Sequence, residues 1–203
     1  MIRLDLPLIG PALETAAVLR AIPRTRGINV LLHGEPGVAK SHLLDLFALE
    51  LTGSKHAIET VNGQSVSVDL VRQWRHDAAY GNLFSDWTVK RIDELDRASD
   101  AAQAELLSWL DYLPKHLAVL ATTNNFGAMS RVDRGRLQRR FKQIRVEAPT
   151  VLEAVPYLMK HFGLPLEAAT EIARQAVPDG ELDGVNMGAA VEDAEAFLAA
   201  IAA

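Results

Sequence analysis

The 203 residues contain no cysteine, which excludes disulfides and thiolate metal sites. No apolar run approaches the roughly 20 residues that a membrane span needs. The start, Met1-Ile2-Arg3-Leu4-Asp5, lacks the charged and apolar regions of a secretion signal. Six histidines, His33, His42, His56, His76, His116 and His161, show no metal-ligand spacing and read as structural or surface residues. There is no internal repeat and no low-complexity stretch. With 49% hydrophobic and 23% charged residues, the composition is that of an ordinary globular protein, and a cytoplasmic location is expected. The length suits one α/β domain plus a small extra module.

Basic charge is also scarce, and it is unevenly spread. The net charge is −5. From Val151 onward, nine acids face two of Lys or Arg, a net −7, so residues 1–150 carry +2. Within Phe126 to Thr150, Arg131, Arg134, Arg136, Arg139, Arg140, Lys142 and Arg145 face only Asp133 and Glu147. A globally basic nucleic-acid binder is not supported, whereas a local basic surface is.

What the chain does have is Gly34-Glu35-Pro36-Gly37-Val38-Ala39-Lys40-Ser41, placed after the apolar run Ile28–Leu32 and before a helical run from His42 to Leu51. A strand, a glycine-rich turn and a helix in that order cradle phosphates, because loop and helix N-terminal amides point at the anion. In that pattern Lys40 reaches the β- and γ-phosphates, and the Ser41 hydroxyl holds Mg²⁺. Ala39 departs from G-x-x-x-x-G-K-[ST], which has glycine there; the departure matters if the position needs positive φ. The candidate nucleotide-binding residues are Gly34, Glu35, Pro36, Gly37, Val38, Ala39, Lys40, Ser41 and His42.

The rest reads as alternating strands and helices followed by a helical tail. Helices are expected over Leu13–Ala21, Asp69–Tyr80, Ser99–Tyr112 (Ser99 as N-cap) and Gly135–Phe141. Strands are expected over Ile28–Leu32, Ala57–Val61, Trp87–Ile92, Leu117–Thr122 and Gln143–Val146. Pro149-Thr150 marks a boundary: residues 1–149 form the nucleotide-binding core, and residues 150–203 form a lid of three helices, Val151–Phe162, Leu166–Ala176 and Met187–Ile201. Such alternation implies an α/β fold with a largely parallel sheet covered by helices on both faces, and ligands at the carboxyl ends of its strands. Asp93-Glu94 and Asn124 fall at those ends. An aspartate there can hold Mg²⁺, making Ser41 and Asp93 the candidate metal residues, with Asp93 also lining the nucleotide site. The adjacent Glu94 can polarise an attacking water as general base, and the Asn124 amide can orient it. An Asp-Glu pair alone is ordinary solvated surface; its place downstream of a phosphate loop is what selects the catalytic reading. Trp74 and Trp109 share faces with leucines and read as core.

Further stretches complete a pattern: Val61-Asn62-Gly63-Gln64-Ser65 with Val68-Asp69-Leu70-Val71-Arg72, Asp93-Glu94-Leu95-Asp96-Arg97 with Gln103 and Leu106-Leu107, Ala121-Thr122-Thr123-Asn124, and Leu137-Gln138-Arg139-Arg140-Phe141 leading to Ala148-Pro149-Thr150. In this order the chain resembles an AAA+ ATPase, and more narrowly the ATPase subunits of sliding-clamp loaders, over roughly residues 8–200. The resemblance implies a P-loop AAA+ core and a helical lid, with ATP and Mg²⁺ bound between neighbouring subunits of a ring or spiral. It implies that Arg140, with Arg139 as the alternative, is an arginine finger acting on the next subunit's γ-phosphate. Leu8-Ile9-Gly10 resembles the segment flanking adenine. Two departures stand out: Met187 lies where the lid should carry a γ-phosphate-sensing arginine, and a collar domain would not fit before Ala203. The resemblance also places Arg72, Arg75 and Arg97 against DNA phosphates, contacts that carry no sequence information. A remodeller or motor acting on a protein, a transposition-type regulator, and a nucleotide-dependent scaffold with little hydrolysis remain alternatives.

Overall fold

The computed structural model describes residues 7–125 and 139–202. Five strands, β1 (Ile28–His33), β2 (Ile58–Asn62), β3 (Thr88–Asp93), β4 (Leu117–Thr123) and β5 (Lys142–Arg145), form one sheet in the order β2-β3-β4-β1-β5. Every neighbouring pair is parallel. All strand carboxyl ends therefore lie on one edge, which brings the residues after β1, β3 and β4 together.

The two faces bury different residues of the same strand, as a parallel sheet between helical layers requires. Leu31 packs into one core with α3 (Val68–Asp77) and α4 (Asp100–Leu110), among Val71, Trp74, Leu106 and Trp109. Val30 and Leu32 pack into the other, with α1 (Pro11–Arg20) and α2 (Lys40–Thr52), among Leu19, Leu43 and Phe47. Trp74 and Trp109 are core residues, 1% and 2% exposed, with ring centroids 6.2 Å apart. A third core lies within α5 (Val151–Phe162), α6 (Leu166–Gln175) and α7 (Met187–Ala202), around Leu158, Leu164, Ile172 and Val185.

Local chemistry sets most boundaries. Ser67 and Ser99 cap α3 and α4 by accepting from Leu70 N–H and Ala102 N–H, and Thr150 forms a capping box with Glu153 at α5. The α3 helix stops at Asp77, three residues short of the expected Tyr80; Ala78 is its C-cap and Tyr80 sits in a turn. Of the expected helix over Gly135–Phe141, only Arg139 onward falls within the described residues, and Arg139 and Arg140 are helical there. Among the described residues no helix is long and apolar enough to cross a membrane.

Lys90 and Arg91 interrupt the apolar run of β3, and both side chains are buried. Burying a charge requires a partner. Lys90 has Glu59 at 2.5 Å and lies 5.6 Å from the Trp74 ring centroid, and Trp74 Nε1 donates to the same Glu59 at 2.8 Å. Arg91 is enclosed by Asp45 and Asp93.

Candidate functional site

At the carboxyl edge of the sheet, β1 ends in His33 and the loop over Gly34–Ala39 leads into α2. Ala39, where glycine is usual, is the helix N-cap and adopts left-handed backbone, φ 66° and ψ 21°. The position does need positive φ, and an alanine held there carries strain of about 1–2 kcal/mol. Ala39 supplies no side-chain cap, and the first turn of α2 contains no acid. Its leading amides and its dipole are left to favour an incoming anion. The Gly37 backbone touches the start of α7: its carbonyl accepts from Gly188 N–H at 3.3 Å, and a Cβ on Gly37 would lie 1.7 Å from Asn186 Oδ1.

Lys40 is 6% exposed, and its Nζ donates to the loop carbonyls of Gly34 and Glu35 at 2.8 and 2.6 Å. Burial lowers its pKa, while the carboxylates of Glu35, Asp96 and Glu94 act in the opposite direction. A desolvated ammonium folded onto its own loop is ready to exchange those carbonyls for an anion. His33, just before the loop, also has its pKa lowered, first by burial and then by the charges of Arg145 and Lys40.

Ser41 Oγ donates to Asp93 Oδ1 at 2.8 Å, joining the start of α2 to the tip of β3. A hydroxyl and a carboxylate oxygen so placed suit a hard divalent cation such as Mg²⁺. Thr122, on β4, donates to Asp93 Oδ1 at 3.2 Å and accepts from Glu94 N–H at 3.1 Å. Glu94 is the second non-glycine residue with positive φ among the described residues, at 56°. This turn aims its carboxylate at three donors. Oε2 accepts from Arg97 at 2.9 Å and Asn62 at 3.1 Å, and Oε1 has Asn124 Nδ2 at 3.4 Å.

The loop from Pro36 through His42, Asp93, Glu94, Thr122 and Asn124 all line one cavity of about 570 Å³. Its remaining wall is mostly apolar, with Leu8, Ile9, Ala12, Tyr157, Met187 and Val191, and includes one carboxylate, Glu192. A few polar groups within mostly apolar walls are what a nucleotide-sized ligand requires. Gly34 and Glu35 fall in a neighbouring polar cavity of about 600 Å³ with His33, Asn124 and Arg145. Among the described residues no group of His, Asp or Glu is spaced to hold a metal by itself.

The predicted residues outside this cavity have partners of their own. Arg140 is not among the lining residues; its Nε and Nη2 make a forked pair with Asp111, just past α4, at 2.5 and 2.6 Å. That pair holds the Asp111 carboxyl below its usual pKa, chiefly through the hydrogen bond from Arg140. Phe141, beside it, is 3% exposed and anchors the segment in the core. Arg72 and Arg75 lie 3.8 and 3.3 Å from Glu105 Oε1. Arg97 is the residue paired with Glu94.

Sequence reasoning assigned no role to Asp45, Asn62, Arg91, Asp111 or Thr122. Asn62 and Thr122 lie in stretches that carry the family resemblance, which was the one signal pointing to them. Asp45, Arg91 and Asp111 find their partners 29 to 50 positions away or through the fold's own juxtapositions, and no local pattern announces that.

No curated protein sequence matches the chain. The solved structure of a DNA polymerase III gamma subunit-related protein from Thermotoga maritima aligns with 91% of this chain and 71% of that one, at 13% identity and a TM-score of 0.55. A Thermotoga maritima RuvB mutant aligns with 91% of this chain and 66% of that one, at 20% identity and the same TM-score. At these identities the likeness is one of fold. Residues 29–141, more than half of the sequence and nearly the whole sheet, match the AAA domain of the dynein-related subfamily, and the chain belongs to that AAA family.

Proposed function

We propose that the chain is an ATP-binding and ATP-hydrolysing AAA+ module that assembles with further copies or related subunits into a ring or spiral. The observation that carries this reading is the meeting of Ser41, Asp93 and Glu94 on the cavity that the phosphate loop lines. Lys40 and the α2 amides bind the phosphates, and the apolar wall with Leu8 and Ile9 takes the base. Ser41 and Asp93 are the residues that would hold Mg²⁺, which when bound neutralises phosphate charge. Glu94 accepts a proton from the attacking water, and Asn124 orients it. Arg140 acts in trans as the finger. The position of α4 supports that role: its eleven residues make a helix about 16 Å long, with the turn that carries Glu94 before its start and Asp111 just past its end.

The reading extends to action on DNA or a DNA-bound protein assembly, in the manner of the clamp loaders that the sequence resembles. Arg72, Arg75 and Arg97 would contact phosphates, which must then compete with Glu105 and Glu94 for them. A second reading, a nucleotide-gated scaffold with little turnover, draws on one observation: Asn62 and Arg97 both occupy Oε2 of the proposed base.

Two variants test the proposal. Lys40→Ala should abolish ATP affinity in calorimetry while leaving the circular dichroism spectrum unchanged. Equal affinity in wild type and variant would remove the nucleotide site. Glu94→Gln should keep ATP affinity and lose phosphate release by about 10² or more, the usual range for a general base. Turnover at the wild-type rate in Glu94→Gln rules out Glu94 as the base, and negligible turnover in the wild type itself selects the scaffold.

A further inference from the structure

Arg91 stands on β3 two residues before Asp93, so both side chains leave the same face of the strand. It is 3% exposed. Its guanidinium grips Asp93 in a fork, Nη2 to Oδ1 and Nη1 to Oδ2, both at 3.1 Å. Nη2 also donates to the Ser41 carbonyl at 3.2 Å. Nε lies 3.2 Å from Asp45 Oδ1 without hydrogen-bond geometry, so that contact is ionic alone. A full positive charge is therefore locked onto the two residues, Ser41 and Asp93, that form the proposed Mg²⁺ site.

The fork is held from both sides. Asp45, on α2, is itself mostly buried with a side chain 11% exposed, and it holds the other flank of Arg91. Asp93 Oδ1 already accepts from Ser41, Arg91 and Thr122, and Oδ2 faces Arg91. Asp93 still lines the cavity with its side chain 26% exposed, but a carboxylate so paired offers less charge to a second cation, and a divalent ion approaching it is repelled by the guanidinium behind it.

We propose that Arg91 is a built-in cation at Asp93, so that this site takes a nucleoside triphosphate with little dependence on Mg²⁺, any ion there being held by the phosphates and Ser41 rather than by Asp93. The inference rests on the nucleotide site proposed above and departs from it at one residue: Asp93, assigned there to Mg²⁺, has its charge met by Arg91 instead, and the pattern that suggests the site does not include a buried arginine. The competing account is that Arg91 only compensates Asp45 and ties α2 to β3. That role would affect stability and leave the ion dependence of binding unchanged.

The experiment is calorimetric titration of ATP into the protein in excess Mg²⁺ and again in EDTA. For the wild type, the two dissociation constants should differ by less than tenfold; a larger ratio overturns the proposal. The paired variant Arg91→Met, Asp45→Asn removes the cation together with the acid it would strand. Its ratio should rise by about tenfold or more, a change of the size that partners of metal ligands exert but of opposite sign, because this partner is itself a cation. A ratio unchanged from wild type in a folded variant overturns the proposal and leaves the structural account. If that variant does not fold, the wild-type ratio decides alone. ATP binding that is absent under both conditions brings down the nucleotide site itself, an outcome distinct from tight binding with strong Mg²⁺ dependence.

Discussion

Ala39 and Glu94 are the two non-glycine residues with positive φ among the described residues, and both line the same cavity. Strain of this kind persists where the surroundings over-determine a conformation, and it gathers at working sites. Ala39 is held by the loop on one side and by the first turn of α2 on the other, where its carbonyl accepts from Leu43 N–H at 2.9 Å. Ala39→Gly removes strain of about 1–2 kcal/mol. It also gives the unfolded chain more freedom, worth about 0.4–1 kcal/mol in the opposite direction. The expected outcome is a net gain between zero and about 1.5 kcal/mol in urea unfolding. A loss instead would mean that the helical start tolerates the alanine without strain. The sequence alone posed this question, since a residue one methyl larger than glycine stood in a glycine position. It left the answer open, because φ is a property of the loop closed against α7 and not of the residue. Asp111 and Arg91 lie at the other extreme, with roles that arise only when distant segments meet.

At the scale of elements, the sequence was most legible where a cap or a periodic run spoke locally. Ser99 caps α4 as expected, and Val151–Phe162 forms α5 with its expected bounds. It was least legible where a charge interrupted a strand, because the acids that compensate Lys90 and Arg91 come from β2, α2 and the site itself. The tip of β2 shows how an element outside the phosphate loop shapes the chemistry. Gly63 follows Asn62, and a Cβ on it would sit 2.0 Å from the Glu94 carbonyl oxygen. That atom is backbone, so the turn bearing Glu94 would have to move. Gly63→Ala should therefore shift Glu94 relative to Asn62, Asn124 and Thr122 while the loop over Gly34–Ala39 keeps its form. A misplacement of about 1 Å at a reacting group costs on the order of 10² in rate. The expected result is a fall in kcat of that order with ATP affinity within about threefold of wild type, read from phosphate release and calorimetry. Equal losses in both would place the damage in the sheet rather than at Glu94.

At the scale of the whole molecule, the cavity lies where the sheet edge meets the C-terminal helices, and Arg140 lies at the far end of α4 from Glu94. A residue anchored by Phe141 and oriented by Asp111 is well placed to serve a surface other than its own cavity. A finger working in trans must fail differently from one working in cis. Arg140→Ala should bind ATP with near wild-type affinity and lose turnover, by as much as about 10³–10⁵ if it behaves as fingers do in GTPases. Lys40→Ala should be inactive because it does not bind ATP. An equimolar mixture of the two contains interfaces that pair an intact loop with an intact finger, so part of the activity should return. The size of that return depends on how freely the subunits exchange, which mass measurement of differently tagged copies establishes in the same tube. Inactivity of a mixture in which mixed oligomers demonstrably form would overturn the assignment in trans. Full activity of the wild type as a strict monomer would overturn both finger and ring, and Asp111–Arg140 would then be a surface clasp between α4 and the segment leading into β5.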